Sequence, residues 1–208
     1  TAEKSSRVME ILITSVKPLK QMFGKILGTF TAGVIQIALL VGVLVASLSM
    51  PHNRGALEAL GIRLDAVEPK LLIFAVFFYL TGYFLYATLF AGIGSIVSRT
   101  EELGQALSPV MILSVVGFYI AIFGLQNPES PLVVIGSYIP FFTPFLMFER
   151  IGLTDVPVWE IALSIGILLA SILLFGWLAA KIYRTGVLMY GKRPSIKELI
   201  RAMKAYKV

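Results

Sequence analysis

The stretch that decides the fold is LLIFAVFFYLTGYFLYATLFAGIGSIVS, residues 71 to 98, which contains no charged side chain. A helix needs about 20 mostly apolar residues to cross the roughly 30 Å hydrocarbon layer of a bilayer. This stretch is longer than that, and further charge-free windows lie at residues 26 to 53, 103 to 128, 130 to 148 and 161 to 180. The pattern predicts an integral membrane protein.

The composition indicates the same class. Hydrophobic residues make up 57% of the 208 residues and charged residues only 14%, whereas about a quarter of residues are charged in soluble domains. The chain has no cysteine and one histidine, His52, so we expect no metal site and no cofactor. The net charge of +6 fits basic loops beside membrane spans, and we expect no nucleic-acid partner.

Four of the windows predict transmembrane helices in a single all-α bundle. We place the spans near residues 28 to 49, 71 to 97, 106 to 125 and 159 to 182. The predicted membrane domain therefore covers residues 28 to 182.

Lysine and arginine residues predict the orientation. Five lie in residues 1 to 25, three in residues 54 to 70, one at Arg99, one at Arg150 and eight in residues 181 to 207. With both termini in the cytoplasm, the inside segments hold fourteen and the outside segments four, as the positive-inside rule requires. Residues 183 to 208 would form a basic cytoplasmic tail.

The fifth window, residues 130 to 148, contains Pro131, Pro140 and Pro144. Proline lacks a backbone donor and interrupts a helix. A broken apolar segment is tolerated at membrane depth only where protein covers its backbone. We therefore predict a re-entrant or interfacial segment on the outer side.

Residues 1 to 27 form a predicted cytoplasmic element. A short helix is expected around residues 6 to 13, followed by an amphipathic helix over residues 18 to 27. That second helix could lie on the lipid surface or dock on a partner protein whose motion it passes to the first span. The sequence leaves both interpretations open.

Polar side chains inside the spans are candidates for a translocation path. Tyr79, Tyr83 and Tyr86 share one face of a helix, and Gln36 lies in the first span. Such groups either line a polar path or form hydrogen bonds between helices. Nothing in the sequence decides between these roles.

No enzyme site is predicted. The chain lacks the Gly-rich loop ending in Lys and Ser or Thr that binds nucleotide phosphates. A serine hydrolase triad would have to use the single histidine, and the spans carry no paired carboxylates. We therefore expect neither catalytic residues nor cofactor-binding residues.

Four segments resemble one family of membrane proteins. They are EKSSRVMEILITSVKPLKQMFGKILG at residues 3 to 28, YATLFAGIGSIVSRTEELGQ at 86 to 105, YIPFFTPFLMFERI at 138 to 151 and KIYRTGVLMYGKRPSIKELIR at 181 to 201. They are similar, in this order, to ABC transporter permeases of the type-2 exporter class, in particular the sodium-efflux NatB-like branch. Because those permeases usually have six spans, the chain is expected to be the C-terminal portion of a longer protein.

The resemblance implies a multi-pass permease of the cell membrane that pairs with a second permease, as a homodimer or heterodimer. ATP would be hydrolysed on a separate ABC ATP-binding subunit. Residues 3 to 25 would hold the coupling helix, and residues 98 to 105 would form a second cytoplasmic contact. The candidate coupling residues are Lys17, Leu19, Lys20, Met22, Phe23, Arg99, Glu101 and Glu102.

The expected function is thus the permease component of an ATP-driven exporter, for sodium ions or for a small molecule. A non-conducting membrane scaffold or assembly subunit is the alternative. An intramembrane enzyme is disfavoured by the missing catalytic groups.

The predicted topology can be tested with introduced cysteines, because the chain has none of its own. We expect Asn53→Cys and Ser130→Cys to react with an impermeant thiol reagent only from outside, since residues 54 to 68 and 127 to 157 face outward. Arg99→Cys should react only from the cytoplasmic side. Labelling of Ser130→Cys only from the cytoplasmic side of sealed vesicles would contradict the four-span topology.

Overall fold

The computed structural model describes residues 18 to 50, 68 to 97 and 99 to 188. This part of the chain is mostly helical and contains no strand. Its helices, in chain order, are α1 Pro18–Ser49, α2 Pro69–Ile96, α3 Leu103–Gly124, α4 Pro131–Gly136, α5 Thr143–Leu153 and α6 Val158–Leu188, with a 3-10 turn at Thr100–Glu102.

Four segments are long and apolar enough to cross a membrane. They are Lys20–Val43, Pro69–Ile96, Thr100–Gly124 and Val158–Tyr183. The predicted all-α fold with four candidate spans is confirmed.

The predicted separate amphipathic helix over residues 18 to 27 is not confirmed. Those residues form the first turns of α1, which continues without a break through residue 28. The Thr29 hydroxyl donates to the Lys25 carbonyl at 2.9 Å, and neither Gly24 nor Gly28 interrupts the backbone. The short helix predicted around residues 6 to 13 lies outside the described residues.

Helix α2 is the centre of the bundle. Its buried side chains repeat at spacings of three and four residues, at Phe78, Thr81, Leu85, Thr88, Gly92 and Ser95. This spacing places them on one face of a helix. Phe78 and Leu85 pack with Leu168 of α6 and Met147 of α5.

Helices α2 and α6 approach closely where their side chains are small. A Cβ atom added to Gly92 would lie 3.3 Å from both Cα and Cβ of Ala179. The missing side chain of Gly92 thus allows the two helices to approach each other. Gly94 does not take part in that contact, because its added Cβ would meet only Leu103 Cδ1, at 4.0 Å.

The segment with three prolines is a helical hairpin, formed by α4 and α5 with a turn over residues 137 to 142. Pro140 lies in the turn, and Pro144 lies in the first turn of α5. Val133, Leu146 and Met147 are fully buried. The break is where the prolines predict it. The depth of the hairpin in the bilayer stays a prediction.

Glycines on α2 and α3 make room for the hairpin. An added Cβ on Gly117 would lie 2.8 Å from Phe142 Cδ1, and one on Gly82 would lie 3.0 Å from Pro144 Cβ. A real Cβ is essentially never as close as the Gly117 distance, and the Gly82 distance is tighter than most, so a larger residue at either position would require the hairpin to shift.

A buried ion pair joins the hairpin to α6. The Arg150 guanidinium lies 2.9 Å from the Glu160 carboxylate, with the two side chains 6% and 16% exposed. Its other terminal nitrogen donates to the Ser137 hydroxyl at 3.0 Å. Sequence analysis counted Arg150 only as an outer loop charge and did not predict this pair.

We expect Gly92→Leu to destabilise the protein, because an overpacked helix contact costs about 1 to 3 kcal/mol. Gly166→Leu is the matched control, since nothing lies within 4 Å of a Cβ added at Gly166. Thermal unfolding in detergent measures the difference. A lower melting temperature for Gly166→Leu than for Gly92→Leu would contradict the α2–α6 packing.

We expect Arg150→Met to lower the free energy of unfolding by about 1 to 3 kcal/mol, because Glu160 and Ser137 lose a buried partner. Lys70→Met should have little effect, since Lys70 and Glu68 form an exposed pair, with side chains 61% and 67% exposed. The measurement is unfolding in detergent. Equal effects of the two substitutions would show that the Arg150 pair does not hold the hairpin.

Candidate translocation cavity

A cavity of about 760 Å³ lies between α1, α2, α3 and α5, with Tyr183 of α6 also in its wall. Its wall on α2 extends from Ala75 to Ser95. Those residues are 20 positions apart, and a helix rises 1.5 Å per residue, so this wall is about 30 Å long. The length is close to the thickness of the hydrocarbon layer. The cavity therefore follows α2 across almost the whole predicted span.

The cavity wall is mainly apolar and aromatic. Side chains from α2 and α5 form most of it, including Phe78, Phe90, Phe145 and Phe148. Among the described residues that line it, none is acidic and one is charged, namely Lys25 of α1. No group of three or more His, Cys, Asp or Glu side chains that could hold a metal occurs in the described part of the chain.

All three tyrosines that the sequence singled out line the cavity. The Tyr83 hydroxyl lies 3.1 Å from the Ile26 carbonyl and also contacts the Thr29 hydroxyl. The Tyr86 hydroxyl donates to the Phe141 carbonyl at 2.8 Å. These two tyrosines thus join helices by hydrogen bonds and also line the cavity. Their role in a translocation path stays a prediction.

Tyr79 differs from the other two tyrosines. It makes no hydrogen bond to any residue that the structure describes. Its hydroxyl lies 3.1 Å from the point that a Cβ on Gly33 would occupy. The missing side chain of Gly33 therefore leaves space for this hydroxyl beside α1.

Gln36 was the fourth residue proposed for the path. It lies on the exposed surface of α1, outside the residues that line the cavity. The structure does not bring it together with the tyrosines, and its role stays a prediction.

The proposed coupling residues at the start of α1 fall into two groups. Met22 is 1% exposed and packs against Ile26 and Tyr183, inside the bundle. Lys20 and Phe23 are exposed, Phe23 by 51%. Lys17 and the side chain of Leu19 lie outside the described residues. Met22 therefore holds α1 in the bundle, which leaves Lys20 and Phe23 available to a partner.

The second proposed contact lies at the turn between α2 and α3. Arg99 and Glu101 are exposed, and Glu102 is half-buried at the start of α3. Met22 and Ile26 of α1 pack against Ala91 near the end of α2, and a Cβ added to Gly94 would lie 4.0 Å from Leu103 Cδ1. The start of α1 and the α2–α3 turn therefore lie at the same end of the bundle, as a shared partner surface requires.

Sequence analysis missed one carboxylate that lies away from the cavity. Both oxygens of Glu149 are buried and have no hydrogen-bond partner among the described residues. They lie 2.7 and 3.0 Å from the point that a Cβ on Gly124 would occupy. Burial raises the pKa of the Glu149 carboxyl. The adjacent charges Glu149 and Arg150, directly after an aromatic apolar run, were the available signal.

Comparison with known proteins gives a family. A sequence model described as "ABC-2 family transporter protein" matches residues 1–181. The chain is 44% identical over 207 residues to the uncharacterized protein YhaP of Bacillus subtilis (strain 168), covering 99% of this chain and 49% of the relative. It is 31% identical over 202 residues to the uncharacterized protein MJ1024 of Methanocaldococcus jannaschii, covering 96% of this chain and 46% of the relative.

The chain thus spans about half the length of the curated relatives that it matches. No solved structure matches it. The family model covers most of the chain, including all of the helices that line the cavity up to residue 181. The chain therefore belongs to the ABC-2 family of transporter proteins, as a membrane-spanning transport component.

Proposed function

We propose that this chain is the permease part of an ATP-driven exporter and that the cavity along α2 is its translocation path. The observation that carries the proposal is the length of the cavity along α2. Its wall follows α2 from Ala75 to Ser95, about the thickness of the hydrocarbon layer. An apolar scaffold without a conducting role has no need of such a continuous space.

Helix α1 is the element best suited to move. Only 6% of its most apolar window is buried, compared with 28% for α2. Its contacts lie in its first half, where Phe30 stacks against Phe84 with ring centroids 5.3 Å apart, Tyr83 bonds to Ile26, and Met22 packs with Tyr183 of α6. A weakly anchored helix can shift between two packed arrangements at low cost.

The energy for that movement would come from a separate ATP-binding subunit. Permeases of this family normally work with such a subunit, and the chain has no nucleotide-binding loop of its own. We propose that the subunit contacts Lys20 and Phe23 of α1 together with Arg99 and Glu101. A push on the start of α1 would then widen or close the cavity, which gives alternating access.

The remaining parts of the proposal follow from the resemblance. The permease would act in the cell membrane as a homodimer or heterodimer, with both termini in the cytoplasm. Export of sodium ions would match the NatB-like branch. Export of a small molecule agrees better with a lining that carries no carboxylate among the described residues.

The coupling contact is tested by Phe23→Ala. Loss of an aromatic anchor at a protein interface costs about 2 kcal/mol or more, which is roughly thirtyfold in affinity. We expect the ATP-binding subunit to be lost on purification in detergent. Leu27→Ala is the matched control, because Leu27 is also 51% exposed on α1 and lies one turn further into the predicted span.

The result is read from the amount of ATP-binding subunit that co-purifies and from its hydrolysis rate. Melting temperature must be unchanged in both variants, which separates docking from folding. Full retention of the subunit by Phe23→Ala, with normal hydrolysis, would contradict the coupling contact. If the ATP-binding subunit is retained but no solute moves in any vesicle assay, the alternative function of a non-conducting membrane scaffold would be favoured.

A further inference from the structure

We propose that the Glu149 carboxyl is a proton-binding site that controls the contact between α3 and the hairpin of α4 and α5. While the carboxyl holds a proton, α5 packs against α3, and loss of the proton releases this contact. Glu149 is not among the residues that line the cavity. The proton site is therefore separate from the proposed translocation path.

The contact between α3 and α5 has two levels with the same spacing. A Cβ added to Gly117 would meet the Phe142 ring, and one added to Gly124 would meet the Glu149 carboxyl. The interval is seven residues on both segments, which is about two helical turns, so both glycines lie on one face of α3. A carboxyl thus occupies at the second level the place that an aromatic ring occupies at the first.

The Glu149 carboxyl lies directly against the backbone of Gly124. A Cβ added there would lie 2.7 Å from Oε1 and 3.0 Å from Oε2. Both oxygens are buried, and neither has a hydrogen-bond partner among the described residues. Burial of an ionised carboxylate without a partner is strongly disfavoured, and such a group takes up a proton instead. The packed hairpin therefore requires the neutral acid.

The position of Gly124 adds to this preference. Gly124 is the last residue of α3, and the C-terminal end of a helix carries partial negative charge from its carbonyl groups. A carboxylate at this end of α3 is repelled, whereas a neutral carboxyl is not. The end of the helix thus also favours the protonated form of Glu149.

The charged side chains around α5 are engaged elsewhere. Helices α3 and α4 carry no Asp, Glu, Lys, Arg or His. Arg150, the neighbour of Glu149 on α5, forms the buried ion pair with Glu160. On α2, Lys70 forms an exposed pair with Glu68. These bases therefore do not compensate a negative charge on Glu149.

The other titratable groups on the elements around α5 do not supply a cation either. On α6, Lys181 lies over the Trp177 ring, 5.0 Å from its centroid, near the opposite end of the helix from Glu160. The groups that remain in the described parts of α2, α3 and the turns beside α5 are tyrosines and acids, namely the three tyrosines of α2, Tyr119, Glu129, Tyr138 and Asp155.

The direction of the pH dependence follows from burial. Burial raises the pKa of the Glu149 carboxyl above its ordinary value of 4.5. Below that pH the carboxyl is neutral whether the hairpin is packed or released, so the packed arrangement has its full stability. Above it the released carboxyl ionises first, and the packed arrangement loses stability as the pH rises through the raised pKa.

Release of α5 would also change the cavity. Phe145 and Phe148 of α5 line it, and Glu149 directly follows them in the same helix. Loss of one proton at the end of α3 would therefore alter the cavity wall. This consequence for transport rests on the proposed function, whereas the proton site itself does not.

The test measures the distance between spin labels at Leu125→Cys, directly after α3, and Leu153→Cys, at the end of α5, with the protein in lipid nanodiscs. Both side chains are exposed, by 62% and 50%. We expect the distance to increase between about pH 5 and about pH 9, the range in which buried carboxyl groups titrate. The ratio of released to packed hairpin should rise by up to about tenfold per pH unit.

Three variants identify the titrating group. Glu149→Gln has nearly the same shape and cannot ionise, so it should keep the short distance at every pH. Gly124→Ala places a Cβ where the carboxyl lies and should give the long distance at every pH. Glu129→Gln is the matched control, because Glu129 is an exposed carboxyl in the turn after α3, and it should keep the pH response.

Infrared difference spectra show the proton directly, because the C=O stretch of a protonated carboxyl is separate from the bands of a carboxylate. We expect one such band to disappear as the pH rises, over the same range as the distance change. The band should be absent from Glu149→Gln and present in Glu129→Gln. A purely structural role of Glu149 would produce no such band.

Three results would overturn the proton site. They are a distance that does not change with pH, a pH response that persists in Glu149→Gln, and a distance set by sodium concentration at constant pH, which would indicate a metal cation site. A pH-dependent distance in a protein that moves no solute would support the proton site and count against the proposed function. The two failures are therefore distinguishable.

Discussion

Every backbone polar group inside the hydrocarbon layer needs a partner within the protein, and this constraint shapes the whole bundle. The four long helices meet it with their own hydrogen bonds. Pro109 lacks a donor within α3, and the Ser108 hydroxyl bonds to the Gln105 carbonyl at 2.8 Å, the group that the missing donor would have served. The turn of the hairpin depends on other helices, since Tyr86 of α2 satisfies the Phe141 carbonyl.

Helix α2 connects this constraint with the proposed function. One of its faces carries small and apolar residues that pack on α6 and on the hairpin. The adjacent face carries Tyr79, Tyr83 and Tyr86 and lines the cavity. Helix α2 thus lies between α6 and the hairpin on one face and α1, the helix that we propose to move, on the other.

Much of the fold was predictable because its signals are local. Charge-free windows located the four spans, and Pro140 and Pro144 located the break in the hairpin. The burial of Met22 and the pairing of Arg150 with Glu160 depend on residues distant in sequence. The residue pattern within one segment does not predict contacts with residues distant in sequence. For the cavity, the tyrosine row was visible in the sequence, but the separate position of Gln36 was not.

We expect α1 to move against a fixed α2–α6 pair when ATP binds to the partner subunit. The most direct measurement is the distance between spin labels at Val34→Cys of α1 and Val76→Cys of α2, in the nucleotide-free and ATP-trapped complexes. Both sites are exposed, and the chain has no cysteine of its own. We predict that this distance changes, while that between Val76→Cys and Leu173→Cys of α6 stays constant. An unchanged α1–α2 distance in both states would contradict it.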